Sequence, residues 1–274
     1  MAGAGLTPLP GPRLPWPKNR RPLSVVTLGN STPSLMLPPR EDRAQGTYTE
    51  VLADLLGGHG VPAVPHTDSQ WFGFLKKSLR SYALRVRAFS PDVLIVQFGV
   101  NELQPWLAPI WLLKHLMTQG EATTRTTRAY RRFLAPRLWR GLRTFRRRIA
   151  PVVGMRTWQT TPRRFRKALL RLLTQSRLDG RPLVLVLDIE TPGPVLHHFL
   201  PGIDKRHAVY QQLLEEVVAE VDDPEVRLIR VSEVVAGLEK GASPDGMHYD
   251  AAGHYAIGER LCQEVVAWLE ERGR

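Results

Sequence analysis

Four short apolar runs, rich in β-branched residues, recur along the chain: 23–28 (LSVVTL), 93–98 (VLIVQF), 183–187 (LVLVL) and 226–231 (VRLIRV). None has the length of a stable helix. Their near-continuous apolar character predicts strands buried on both faces. The stretches between them carry apolar residues at helical spacing. Tyr48, Val51, Leu52, Leu55 and Leu56 follow a Thr47-x-x-Glu50 capping box and stop at Gly57-Gly58. Phe72, Leu75, Leu79, Tyr82 and Val86 predict a second helix, Tyr210, Leu213, Leu214, Val217 and Val218 another, and Ile257, Leu261, Val265 and Leu269 a last one. Residues 61–64 add a short strand that Pro62 assigns to an edge. Strands alternating with helices predict an α/β fold. The expectation is a three-layer α/β/α sandwich with a flavodoxin-like parallel sheet of about five strands.

A chain of 274 residues, 43% hydrophobic, can bury one substantial core. Residues 23–274 are expected to form a single domain, and 1–22, rich in Pro, Gly and Arg, a disordered tail. No continuous apolar core marks a secretory signal, and the best spanning candidate, 106–117, is short and broken by Lys114 and His115. Cytoplasmic residence, with peripheral contact at a membrane surface as an option, is the expectation. The single cysteine, Cys262, excludes an internal disulfide and reads as a buried, inert thiol.

Charge is unevenly placed. Residues 105–180 hold eighteen Lys and Arg against Glu121 and Asp179, a balance of +16 in a chain of net +12, so the remainder is −4. Residues 105–165 also contain Trp106, Trp111, Trp139 and Trp158 and no strand pattern. They are expected to be a helical, lid-like insertion, with 163–177 the ordinary crossover helix beyond it. Arg143 with 146–148, and Arg163 with Arg164, Arg166 and Lys167, point to an anionic partner. Candidates are an acyl carrier protein, a coenzyme A thioester or an anionic lipid surface. Nucleic acid is disfavoured, because no nucleic-acid-binding motif accompanies the charge.

In a parallel α/β sheet, reactive groups gather beyond the carboxyl ends of the strands. Three short elements fall there. Gly29-Asn30-Ser31 ends the first strand, Gly99-Val100-Asn101-Glu102 the third, and Asp245-Gly246-Met247-His248 precedes the last helix. These residues suit acyl transfer. A serine needs an adjacent base, here His248. Asp245 would fix the imidazole tautomer. Asn101 and the Ser31 backbone N–H would receive the oxyanion, and each such donor is commonly worth about 10²–10³ in rate.

These elements resemble the SGNH hydrolases, also called GDSL-like lipases and acylhydrolases. Gly29-Asn30-Ser31 is similar to the first block, Gly99-Val100-Asn101-Glu102 to the third, and Asp245-x-x-His248, with the helix after it, to the last. The resemblance runs from about residue 23 to 274, the basic insertion excepted. It implies Ser31, His248 and Asp245 as the catalytic triad and Asn101 and the Ser31 N–H as oxyanion donors. Gly73 is the nearest match to the glycine of the second block, although it sits inside a helical pattern. Asn30 replaces the usual aspartate of the first block, and Glu102 that of the third. Asn30, Glu102, Trp106 and Met247 are the expected substrate contacts.

The implied activity is a serine-dependent esterase working through an acyl-Ser31 intermediate on an ester or thioester. The alternative is an O-acyltransferase that passes the acyl group to a sugar or natural-product hydroxyl. A third reading is a binding module with Ser31 idle. No cofactor and no metal site is expected. His197 and His198 are adjacent, lack partners at ligand spacing, and read as solvent-facing or substrate-lining.

Overall fold

A computed structural model describes residues 14–17, 19–33, 46–69, 73–104, 129–153, 157–238, 243 and 247–273. Five parallel strands form one sheet: β1 (Leu23–Gly29), β2 (Ala63–Ser69), β3 (Val93–Gln97), β4 (Leu183–Leu187) and β5 (Val226–Ile229). Their spatial order is β2-β1-β3-β4-β5, the expected flavodoxin-like order with β2 at an edge. β1, β3 and β4 are buried along their whole length, which is why they read as unbroken apolar runs.

The pleat sends alternate residues into two separate cores. On one face Val26, Leu28, Leu94, Val96, Val184 and Val186 pack under Leu75, Tyr82, Phe165, Leu169 and Tyr210. The covering helices are α2 (Leu75–Arg80), α3 (Tyr82–Arg85), α5 (Pro162–Leu178) and α7 (Ile203–Val221). On the other, Val25, Val93, Ile95, Leu183 and Leu185 pack under Tyr48, Leu52, Val235, Ile257 and Leu261. Here the cover is α1 (Tyr48–Gly58), α8 (Val231–Ala236) and α9 (Ala251–Glu271). Two further helices are the long α4 (Ala135–Val153), which follows a π-helical turn at Tyr130–Leu134, and the short α6 (Pro194–Phe199). The result is the three-layer α/β/α sandwich.

Four local expectations differ from the structure. The helix expected across 72–86 is two helices broken at Ser81, whose φ of −109° and ψ of 14° leave the helical region. Val231 begins α8 rather than ending β5. The Asp188 carboxylate, from the end of β4, takes the Ser232 N–H at 3.0 Å and so caps that helix from a distant part of the chain. Gly73 lies in the loop before α2, not in a helix. Residues 14–17 and 19–22, assigned to the tail, are anchored. The Leu14 N–H donates to the His59 carbonyl at 2.9 Å, Leu14 and Trp16 pack on the second core, and Arg21 pairs with Asp92. The apolar side chains of Leu14 and Trp16 gain more by burial than a solvated tail would.

The basic segment leaves and rejoins the core at one place. Gln159 N–H donates to the Gln104 carbonyl at 2.7 Å and Thr160 N–H to the Glu102 carbonyl at 3.1 Å. Arg206, buried, donates to the Thr157 carbonyl at 2.6 Å and stacks over Trp158 at 4.5 Å. α5 then behaves as a core crossover helix, with Phe165, Leu169, Leu172 and Leu173 buried.

Candidate active site

Ser31 sits two residues past β1, at the carboxyl edge of the sheet. The turn that carries it is built by its neighbours. Asn30 Oδ1 accepts the Thr32 N–H at 2.9 Å, an Asx-turn that spans Ser31. Asn30 N–H donates to the Gln97 carbonyl of β3 at 3.3 Å. An asparagine oxygen makes this turn as well as an aspartate does. Gly29 is required because a Cβ there would lie 2.5 Å from Pro33 Cγ and 3.0 Å from the Gln97 carbonyl oxygen.

His248 arrives from the loop before α9, whose first turn is capped by Asp250 Oδ1 accepting the Gly253 N–H at 2.8 Å. The Ser31 Oγ and His248 Nε2 lie 2.8 Å apart. Both residues are buried. The sequence separates them by 217 positions, so only the fold brings this pair together.

Asn101 follows β3 and is buried. Its Nδ2 donates to the Gly73 carbonyl at 3.2 Å, which joins the two expected oxyanion positions in one corner. Glu102 is directed inward. Its carboxylate accepts the Leu75 N–H at 2.8 Å and the Gly99 N–H at 3.0 Å. It therefore holds the Asn101 loop against the start of α2. Burial pushes its pKa up to about 7, against the pull of those amides. Gly99 has φ of +125°, and a Cβ there would run into the Ile189 side chain. Both features demand glycine.

A pocket with ≈ 230 Å³ of empty space, part of it open solvent, adjoins the pair. Asn30 and Met247 line it, as do Gln97, Asp188, Glu190 and Tyr249. Behind it a buried chain of polar groups links three elements. Tyr48 O–H donates to Gln97 Oε1 at 2.9 Å, and Gln97 Nε2 donates to the Tyr249 oxygen at 3.1 Å. Burial raises both phenols well above their ordinary range and keeps them neutral donors. Asp188 and Glu190 were missed from the sequence. Their signal was two acids directly after the fourth strand, where ligands collect in such sheets.

Asp245 and Trp106 lie outside the described residues. His197 pairs with Asp204 at 2.7 Å on the surface, and among the described residues no His, Cys, Asp and Glu cluster could hold a metal.

No family model matches the sequence, and no curated protein matches it. Solved structures do match. A lipase/acylhydrolase from Enterococcus faecalis superposes with a TM-score of 0.56 at 12% identity, covering 89% of this chain and 95% of that one. This is the fold of the GDSL-like lipases and SGNH esterases. The psychrotrophic esterase EstA from Pseudoalteromonas gives 0.55 at 11% identity, covering 90% and 98%. The acetylxylan esterase Axe2 from Geobacillus stearothermophilus gives 0.52 at 12%, covering 89% and 94%. The chain thus shares the fold of these hydrolases at identities of 11–12%.

Proposed function

We propose that the chain is a serine-dependent ester hydrolase that works through an acyl-Ser31 intermediate. The Ser31–His248 contact at 2.8 Å carries this reading. A nucleophile and base within hydrogen-bond reach, both buried at the edge where α/β sheets hold their sites, are the arrangement acyl transfer needs. His248 Nε2 takes the Ser31 proton as Oγ attacks the ester carbonyl. The tetrahedral oxyanion is received by the second hydrogen of Asn101 Nδ2, the first being on Gly73, together with the Ser31 and Gly73 N–H groups. Collapse breaks the ester C–O bond, and the leaving alcohol takes the proton from His248. Water, deprotonated by the same ring, then attacks the acyl carbonyl; the acyl–Oγ bond breaks, Ser31 Oγ takes the proton back from His248, and the acid leaves. Asp245 is assigned to orient the His248 ring through Nδ1–H. Asn30 and Met247 line the pocket beside the pair, whereas Glu102 acts by holding the Asn101 loop.

O-acyl transfer is the second reading, and α4 favours it. Arg137, Arg140, Arg147 and Arg148 are exposed on it, and Leu138, Phe145 and Val152, spaced by seven, stand exposed on another face. α4 packs on α6, where Arg147 Nη1 and His198 Nε2 are 3.4 Å apart. α6 follows directly from the Glu190 loop at the pocket. A basic, partly apolar face at that place suits an anionic donor: a coenzyme A thioester, an acyl carrier protein or an anionic lipid surface. Among the described residues no helix is long and apolar enough to cross a membrane. The idle-module reading predicts no turnover at all.

Product analysis with p-nitrophenyl esters and acyl thioesters, with and without a polyol, tests these readings. Release of free acid supports the hydrolase, and an acylated polyol supports transfer. No product from either donor overturns both.

A further inference from the structure

β4 ends in two carboxylates that the Ser31–His248 pair does not use. Asp188 is fully engaged. Its Oδ1 accepts the Ser232 N–H at 3.0 Å, and its Oδ2 accepts the Ser232 hydroxyl and the Gln211 amide, the latter at 3.1 Å. It ties the end of β4 to α7 and α8.

Glu190 is different. The Thr191 N–H and the Tyr249 hydroxyl lie on its carboxylate side and favour its charged form. Its Oε2, however, has no hydrogen-bond partner among the described residues, although the residue is only 8% exposed. Buried carboxylate oxygens are normally satisfied, because an unmet one forfeits its hydration without return. Here it belongs to a residue lining the pocket at the catalytic pair. Asn30 and Thr32 of that wall flank Ser31, and Met247 and Tyr249 flank His248. His248 must return its proton to the leaving alcohol, so a wall made by its neighbours borders the alcohol side of the ester.

The charge state narrows the ligand. Burial and the neighbouring Asp188 push Glu190 up to about 8, and among the described residues no Lys or Arg pairs with either carboxylate. That upward shift favours the neutral carboxyl, which can both donate and accept. A hydroxyl matches both capacities and brings no charge into the pocket. An apolar group would leave Oε2 unmet, and a second anion would face Asp188.

We propose that Glu190 determines specificity by seating a hydroxyl of the substrate's alcohol part, so that the site favours polyol or sugar esters, or acceptors, over plain alcohols. This rests on the acyl-Ser31 reading.

The test compares kcat/KM for glyceryl monoacetate with that for phenyl acetate in the wild type, Glu190→Gln and Glu190→Leu. A site built to hydrogen-bond a hydroxyl discriminates against partners that lack one. Glu190→Leu is expected to lower the glyceryl-to-phenyl ratio by about tenfold or more, while Glu190→Gln, which still donates and accepts, stays within about threefold. Fluorophosphonate labelling of Ser31 should persist in both variants, which shows that the nucleophile is still assembled. Glu190→Ala gives the same comparison should the leucine variant not fold. Normal labelling with an unchanged ratio, or an equal loss on both esters, overturns the proposal alone. No labelling of the wild type overturns the acyl-serine reading and this proposal with it.

Discussion

The corner around Ser31 and helix α4 are built on opposite principles. At the corner, polar groups are few, buried and mostly committed. Asn30 makes an Asx-turn, Glu102 holds two amides, Gln97 bridges two tyrosines, and Ser31 meets His248. On α4, Arg137, Arg140, Arg147 and Arg148 are exposed, and Phe145 and Val152 are 56% and 82% exposed. Low dielectric and these committed hydrogen bonds fix the corner's geometry, which chemistry needs. Exposed charge fixes no geometry but attracts anions over a Debye length. Single substitutions should therefore be severe at the corner and mild on α4.

The largest expected effects test that contrast at its centre. Ser31→Ala and His248→Ala should each lower kcat by about 10³-fold or more, and the double variant should be no worse than either alone. Additive losses in ester hydrolysis would mean the two side chains do not act as a unit. Asn101→Ala should lower kcat by about 10²–10³ with little change in KM, as expected for an oxyanion donor. A change confined to KM would remove it from that role.

Next come effects on stability. Gly99→Ala places a methyl against Ile189 at φ of +125°, and is expected to cost about 1–3 kcal/mol in denaturant unfolding. The buried acids give a pH dependence of defined sign. Unfolded, Glu102 and Glu190 release their protons near 4.5; folded, they hold them to about 7 and about 8. The native state thus binds more protons between these limits, and stability falls as pH rises from about 4.5 to about 8. Glu190→Gln should flatten part of that decline in thermal melts, and a melting temperature that rose over the same window in the wild type would contradict it.

The smallest effect on chemistry belongs to α4. Reversing Arg137, Arg140, Arg147 and Arg148 to glutamate should leave hydrolysis of a neutral soluble ester within about twofold. It should weaken binding to vesicles containing phosphatidylglycerol, or to an acyl thioester, and most at low salt. Unchanged binding would make the arginines a solvated face only.

The same contrast explains what the sequence made legible. β1, β3 and β4 were readable because a strand buried on both faces leaves a continuous apolar run. The meeting of Ser31 and His248 was readable because both stand in short blocks at the ends of recognisable elements. What failed depended on distant partners. Val231 starts a helix because Asp188, over forty positions away, caps it. Trp16 is held by the second core and by Arg20 stacked at 4.4 Å. Glu190 is an ordinary acid in the sequence, and only the pocket shows that one of its oxygens is unmet. Gly73 looked helical because its apolar neighbours keep helical spacing, yet its carbonyl takes the Asn101 amide.

The most direct test of the central claim is intact-protein mass spectrometry after treatment with a fluorophosphonate, with the modified residue located by peptide mapping. The account predicts one adduct per chain on Ser31, absent from Ser31→Ala and strongly slowed in His248→Ala. A folded wild-type protein that takes no label, or takes it at another residue, would contradict the assignment of Ser31 as the activated nucleophile.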